Sequence, residues 1–212
     1  MLVLAFDTSA SGFSIALVED QKLLAQTNFF ESGKQSELLI PEIEKILRSQ
    51  KIWYQDLGLI AATNGPGSFT GTRIALTTAR TLKAALNIPL IFVNCCEAIA
   101  FKHRQHDGKI IVAIDASGNE VFLAEFFCRN QKLETIREPL LVKLEEIKNF
   151  LPQDDFLLCG SAAALIQSDQ ENDFIEAEFI ALLALEKIKD PQFIENSAAL
   201  YLRDPRIGER KK

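Results

Sequence analysis

Residues 64–73 read NGPGSFTGTR and hold the densest set of chemically useful groups in the chain. An apolar strand pattern, residues 57–62, runs into this segment, and a helical pattern, residues 70–86, runs out of it. Gly65 and Gly67 permit backbone angles that a Cβ forbids, and Pro66 fixes its own φ. Ser68 or Thr70 is placed to cap the helix by accepting a first-turn N–H. The result is a strand–turn–helix corner with the positive end of a helix dipole in the loop. Such a corner receives a phosphate, a carboxylate or a partner chain. The GK[ST] ending of a P-loop is missing, so no lysine stands there to reach a β- or γ-phosphate.

A second set of polar groups closes two matching strands. VLAFDTS (residues 3–9) and IVAIDAS (residues 111–117) are apolar runs ending in Asp-x-Ser. Corners that hold phosphate carry glycines, so that backbone N–H groups can approach the oxygens. Here residues 8–11 fill those places and only Gly12 follows, while residues 115–118 are equally short of glycine. Asp7 and Asp115 are therefore expected to cap turns. The two histidines, His103 and His106, are spaced i,i+3 in a charged stretch, with no HxxxH or HExxH. A zinc or iron centre needs three or four ligands, and a serine hydrolase needs a base beside its nucleophile. Neither pattern is present. Cys95, Cys96, Cys128 and Cys159 lack CxxC spacing and read as reduced, buried thiols of a cytoplasmic protein.

The elements that position these groups follow from periodicity. Residues 2–6 are uniformly apolar, as in a central strand covered on both faces. Strands at 13–18 and 23–30 follow as an antiparallel meander, then a helix at 36–49, a strand at 57–62, a helix at 70–86 and a strand at 90–93. The order βββαβαβ matches the ribonuclease H-like unit. The second Asp-x-Ser strand starts the pattern again after a polar seam at 102–109, with helical stretches at 144–150, 162–167 and 177–187. The expectation is an α/β protein of two ribonuclease H-like lobes, residues 1–103 and a reduced 104–194. Residues 195–206 are placed to return to the first lobe, and 207–212 form a frayed basic tail. A chain of 212 residues with 48% hydrophobic and 25% charged residues is of ordinary globular composition. No apolar run approaches the ~20 residues that span a bilayer. Strand-like LVLAF directly after Met1 argues against a signal peptide. A net charge of -6 disfavours a stand-alone nucleic-acid binder.

Two helices are patterned to meet something. At ~100° per residue, Leu39, Ile40, Ile43, Ile46 and Leu47 share the core stripe of the first, while Leu38 falls among Glu42 and Lys45. On the second, Gly71, Ile74, Ala75, Thr78, Ala79, Leu82 and Leu86 share one side, and Arg73, Thr77, Arg80 and Lys83 the other, with Leu76 among them. Either these charged faces are solvated, or an acidic face and a basic face meet across an interface, where complementary charge sets partner choice.

These motifs carry a family resemblance over nearly the whole chain. GPGSFTGTRIALTTARTLKAAL (residues 65–86) resembles the signature of the TsaB family of the actin-like ATPase superfamily. FDTS, QSELLIPEIEKIL, VNCCEAIA and YLRDP resemble its opening, first helix, next helix start and ending. Gln35 stands where many members have His, and Ser117 where the second lobe commonly has Arg. The resemblance implies a part in making threonylcarbamoyladenosine beside the tRNA anticodon. It implies a non-catalytic subunit with no cofactor of its own, paired with a TsaD-like paralogue that holds the metal and transfers the group. A TsaE-like P-loop ATPase would join them, tRNA would be met only through the complex, and the isolated chain would form a homodimer through the same helices. The partner surface is then expected at Leu38, Glu42, Lys45, Gly65, Pro66, Gly67, Ser68, Phe69, Thr70, Arg73, Leu76, Thr77 and Arg80. The competing expectation is an ATP-dependent kinase or ATPase of the same fold.

Overall fold

The computed structural model describes residues 1–31, 33–170, 172–190 and 202. Strand β1 (Leu2–Asp7) is the centre of the first sheet. It pairs antiparallel with β2 (Phe13–Glu19), which pairs with β3 (Lys22–Phe29). On its other side it runs parallel to β4 (Leu59–Thr63), followed by β5 (Leu90–Val93), giving the order β3-β2-β1-β4-β5. All six residues of β1 are buried because both faces are covered. Leu2, Leu4 and Phe6 enter the core beneath two outer helices, α1 (Gln35–Ser49) and α2 (Phe69–Leu86). Val3 and Ala5 point into a second core that continues to the other sheet.

Among the described residues the second sheet repeats the plan and stops one strand short. Strand β6 (Gly108–Asp115) pairs antiparallel with β7 (Glu120–Arg129), β7 with β8 (Lys132–Lys143), and β6 runs parallel to β9 (Phe156–Cys159). The order β8-β7-β6-β9 matches β3-β2-β1-β4 in topology. The matched Asp-x-Ser ends thus lie on equivalent strands, and the chain is two ribonuclease H-like lobes with the second reduced. Its outer face is covered thinly, by a 3-10 turn at Leu144–Asn149 and the single-turn α4 (Ala163–Ile166).

Two helices cross between the lobes. Helix α3 (Cys95–Lys102), capped by Asn94 Oδ1 accepting from Cys96 N at 2.8 Å, follows β5 but packs on β6, β7 and β8. Helix α5 (Ala177–Lys187) follows the second sheet but packs on β1, β2, β4 and β5, and on α3. Close approach is possible because Ala177, Ala181 and Ala184 present no more than a methyl group, each at 0% exposure. Lys187–Glu97 at 2.6 Å and Arg104–Glu186 at 3.0 Å tie the C-terminal end of α5 to α3 and the residues just after it.

In the first lobe every expected strand and helix lies within two residues of its observed position. In the second, the helical stretch expected at 144–150 is the 3-10 turn, that at 162–167 is the one-turn α4, and 177–187 is α5. Of residues 195–212 only Leu202 is among the described residues, and it packs against the core shared by the two sheets. Among the described residues no helix is long and apolar enough to cross a membrane.

The packing of α5 is testable. Ala181→Leu forces three carbons into a fully buried position, and overpacking of this kind costs ~1–3 kcal/mol. A lower midpoint in urea, followed by circular dichroism, is the expected outcome.

Candidate functional site

The corner at 64–73 is not an open cradle. Its inner side is occupied by the β1–β2 turn of the same chain. Ser68 N donates to Ser9 O at 2.7 Å, and Thr8 Oγ1 donates to Gly71 O at 2.6 Å. The glycines serve this contact. A Cβ on Gly71 would lie 1.9 Å from Thr8 O, and one on Gly67 would lie 2.7 Å from Ser9 O. Ser68 is the N-cap, its hydroxyl accepting from Gly71 N at 3.3 Å. The Gly65–Pro66 peptide is cis, and Gly65 O accepts from Cys95 N at 2.8 Å, which joins the corner to the start of α3. From the other side Gln35, 8% exposed, places its Nε2 3.3 Å from both Ala10 O and Ser11 O. The β1–β2 turn is thus held by two helices.

Asp7 is equally committed. Its Oδ1 accepts from Ser9 N at 3.1 Å, from Ser9 Oγ at 2.7 Å and from Thr63 Oγ1. Burial raises its pKa above the ordinary carboxylate value, and the donors from Thr63 and Ser9 oppose that rise without cancelling it. Ser9 Oγ also lies 3.2 Å from Cys95 Sγ, whose thiol is pushed up by burial and then by the neighbouring Asp7. A thiol so raised is not a nucleophile at neutral pH. In the second lobe the exposed Asp115 accepts from Ser117 N at 2.7 Å. Both aspartates therefore close Asp-x-Ser turns. His103 Nε2 meets Asp173 Oδ2 at 2.6 Å, and Lys102 pairs with Asp173 and Glu176, each at 2.6 Å. Among the described residues no group of three or more His, Cys, Asp or Glu side chains is arranged to hold a metal ion.

The surface anticipated on α1 and α2 is partly rearranged. Lys45, Ser68, Phe69, Thr70, Arg73, Thr77 and Arg80 are exposed, and Leu38, Glu42 and Gly67 are half-buried. Glu42 pairs with Lys45 at 3.2 Å, so these two charges answer each other on their own helix. Arg73 lies over the Phe69 ring at 5.2 Å, and Arg80 over Phe92 at 5.9 Å. Leu76 departs from expectation: it is 4% exposed and belongs to the core beneath α2. The helix buries Gly71, Thr72, Ala75, Leu76 and Ala79, a stripe turned toward Leu76, because Gly71 must face Thr8 and sets the roll of the helix. Ile74 and Leu82, placed in the core by pattern, are left half-exposed. Gly65 and Pro66 are buried within the turn, which is fixed by its contacts to Cys95 and the rest of the corner. On α1, Ile40 is 40% exposed rather than in the core. Its position at the margin of the stripe was the available signal for its exposure. Ile40 and Phe69 are the large apolar side chains of this layer that meet solvent.

Two ribonuclease H-like lobes joined through exchanged helices define the actin-like ATPase type of fold. A family profile described as TsaD: tRNA N6-adenosine threonylcarbamoyltransferase matches residues 31–176. The tRNA threonylcarbamoyladenosine biosynthesis protein TsaB of Bacillus subtilis is 32% identical over 155 residues, covering 73% of this chain and 68% of that one. The TsaB protein of Escherichia coli is 30% identical over 128 residues, 59% of this chain and 55% of its own. A crystal structure of a Pseudomonas aeruginosa protein described as similar to peptidase YeaZ aligns with a TM-score of 0.81 at 22% identity, over 95% of this chain and 99% of that one. The chain belongs to the TsaB family.

Two outcomes are expected at the corner. Gly71→Ala drives a methyl into the Thr8 carbonyl and should cost ~3 kcal/mol or more, read as a fall in denaturation midpoint. Asp7→Asn should change stability with pH in a defined sense. The native pKa of Asp7 is raised above 3.8, so the native state holds its proton longer than the unfolded chain. Wild type therefore loses stability relative to the variant as pH rises from 3.8 to the raised native value, and the difference then levels off. Paired melts across pH 4–8 measure the slope, and a slope of the opposite sign would contradict the assignment.

Proposed function

We propose that this chain is a non-catalytic subunit in the synthesis of tRNA threonylcarbamoyladenosine, acting by binding a TsaD-like catalytic paralogue. The observation that carries the reading is the occupied corner. Ser9 and Thr8 occupy the inner side of the corner, held at 2.7 and 2.6 Å against a helix whose glycines are fitted to them. In this reading the scaffold of the fold is kept while the start of α2 is given over to packing against the β1–β2 turn. What stays available is the outer face of α1 and α2, where Arg73, Thr77 and Arg80 lie exposed beside Phe69.

In this reading the partner contributes the metal and the group transfer. The chain brings no cofactor, meets tRNA only through the complex, and is joined there by a TsaE-like P-loop ATPase. Alone, it pairs with a second copy through the same helices. The surface in contact is the anticipated set without Leu76, Gly65 and Pro66, with Ile40 added. Its apolar contribution comes from Ile40, Phe69 and the half-buried Leu38. Arg73 and Arg80, already held over aromatic rings, are pre-oriented donors for a partner's carboxylates.

Arg80→Glu reverses one charge on an exposed helix position and should leave the melting temperature within a few degrees. Co-purification with a TsaD-like protein should fall at least ~tenfold, the loss typical of breaking a charge pair at an interface. Unchanged assembly, by light scattering of the isolated chain and by pull-down of the paralogue, would refute the surface. Micromolar ATP affinity with turnover by the isolated chain would instead support the kinase or ATPase alternative.

A further inference from the structure

The lobes enclose a cavity of about 680 Å³ that lies apart from the α1–α2 face. Its volume is in the range of small-molecule sites. Asp7 and residues 10–14 form one side, and residues 157–159 with the 172–176 segment form the other. That segment crosses from one lobe to the other. Asp173 N donates to Gly160 O at 3.2 Å at one end, and Ala177 N donates to Ser14 Oγ at 2.8 Å at the other.

The lining has two properties that together define a ligand. It is aromatic: Phe13 and Phe29 stack at 5.0 Å, and Phe30 meets Phe174 edge-on at 5.6 Å. Phe30 and Phe174 are 68% and 44% exposed, which for rings held in contact with each other places an apolar pair in reach of solvent. The lining is also acidic. Asp7, Asp169, Asp173 and Glu176 face it, against Lys102 and His103. Lys102 is engaged by Asp173 and Glu176 at 2.6 Å, and His103 by Asp173, so neither side chain is left to answer Asp7 or Asp169. An excess of carboxylates in a walled cleft repels phosphates and concentrates cations, and aromatic rings add attraction to an ammonium group.

We propose that this cavity binds an organic ammonium ion with an apolar body, a polyamine or an arylalkylamine, rather than a nucleotide. The charged end lies toward Asp7 on the floor, and the carbon chain lies against the Phe30–Phe174 pair. A cation beside Asp7 offsets the burial that holds its pKa up, so binding releases a proton wherever Asp7 is protonated in the free protein.

The test uses the full chain, with spermidine and phenethylamine as probes and magnesium-ATP as the counter-probe. Calorimetry at two pH values should show saturable, one-to-one binding of at least one amine. Asp7→Asn should weaken it at least ~tenfold, as expected for a charge-assisted contact. Phe30→Ala, a change at an exposed ring, should weaken it about threefold through the lost apolar contact with the carbon chain and keeps the test valid if the Asp7 variant misfolds. No amine binding to the wild-type chain overturns the proposal. So does amine binding that both variants leave unchanged, and so does ATP binding that the same variants abolish. None of these outcomes depends on assembly with the paralogue, so failure here and failure of the α1–α2 surface are distinguishable.

Discussion

Ser68 N donates to Ser9 O at 2.7 Å, and Gly71 lies so close to Thr8 that a methyl group would reach 1.9 Å from its carbonyl. The rest of the molecule is arranged around this approach of one backbone to another. It sets the roll of α2, which decides that Leu76 is core and that Arg73 and Arg80 are surface. It brings Thr63 and Ser9 to Asp7, and so turns a residue with the position of a phosphate-site acid into a turn cap. It also fills the inner side of the corner, and because protein interiors are close-packed, that volume is not open to a ligand.

The second constraint is the exchange of helices between lobes. Helix α3 leaves the first sheet to cover the second, and α5 returns to cover the first. Each lobe alone would expose one face of its sheet. The core made by Val3, Ala5, Ile110, Val112, α3 and α5 is continuous across both. Covering two sheets with one pair of helices fixes the relative placement of the lobes and leaves a cavity between the Asp7 end of β1 and the end of β9. The Lys102–Asp173–Glu176 cluster holds its wall. Its half-buried setting gives these pairs more weight than exposed surface pairs carry.

Much of this was legible from residue order. The uniform apolar run of β1, the Asp-x-Ser repeat and the seam before β6 gave the duplication, since a strand buried on both faces cannot alternate. The less regular second lobe was harder to read, because its outer cover is a 3-10 turn and a single helical turn, which leave no sustained period. In the candidate site, the missing lysine and scarce glycines indicated a poor phosphate site. The roles of Gly67 and Gly71 were hidden, because a glycine needed for close packing and one needed near a ligand look alike in sequence. Gln35 was visible as a departure from the family pattern, yet its bonds to Ala10 O and Ser11 O depend on where α1 lands.

By itself the sequence determined the element order, the two lobes, the family and the absence of a P-loop lysine. These are properties of local pattern, in which each residue's neighbours along the chain carry the signal. Only the tertiary structure decided that the NGPGSFTGTR corner is filled by residues 8 and 9, that Leu76 faces inward while Ile40 faces out, and that an acidic, aromatic cavity lies between the lobes. The reason is physical. Those outcomes depend on contacts between segments far apart in the chain, such as Thr8 with Gly71 at a separation of 63 and Ser14 with Ala177 at 163. Their geometry is set by how layers pack and is not encoded in any window of the chain.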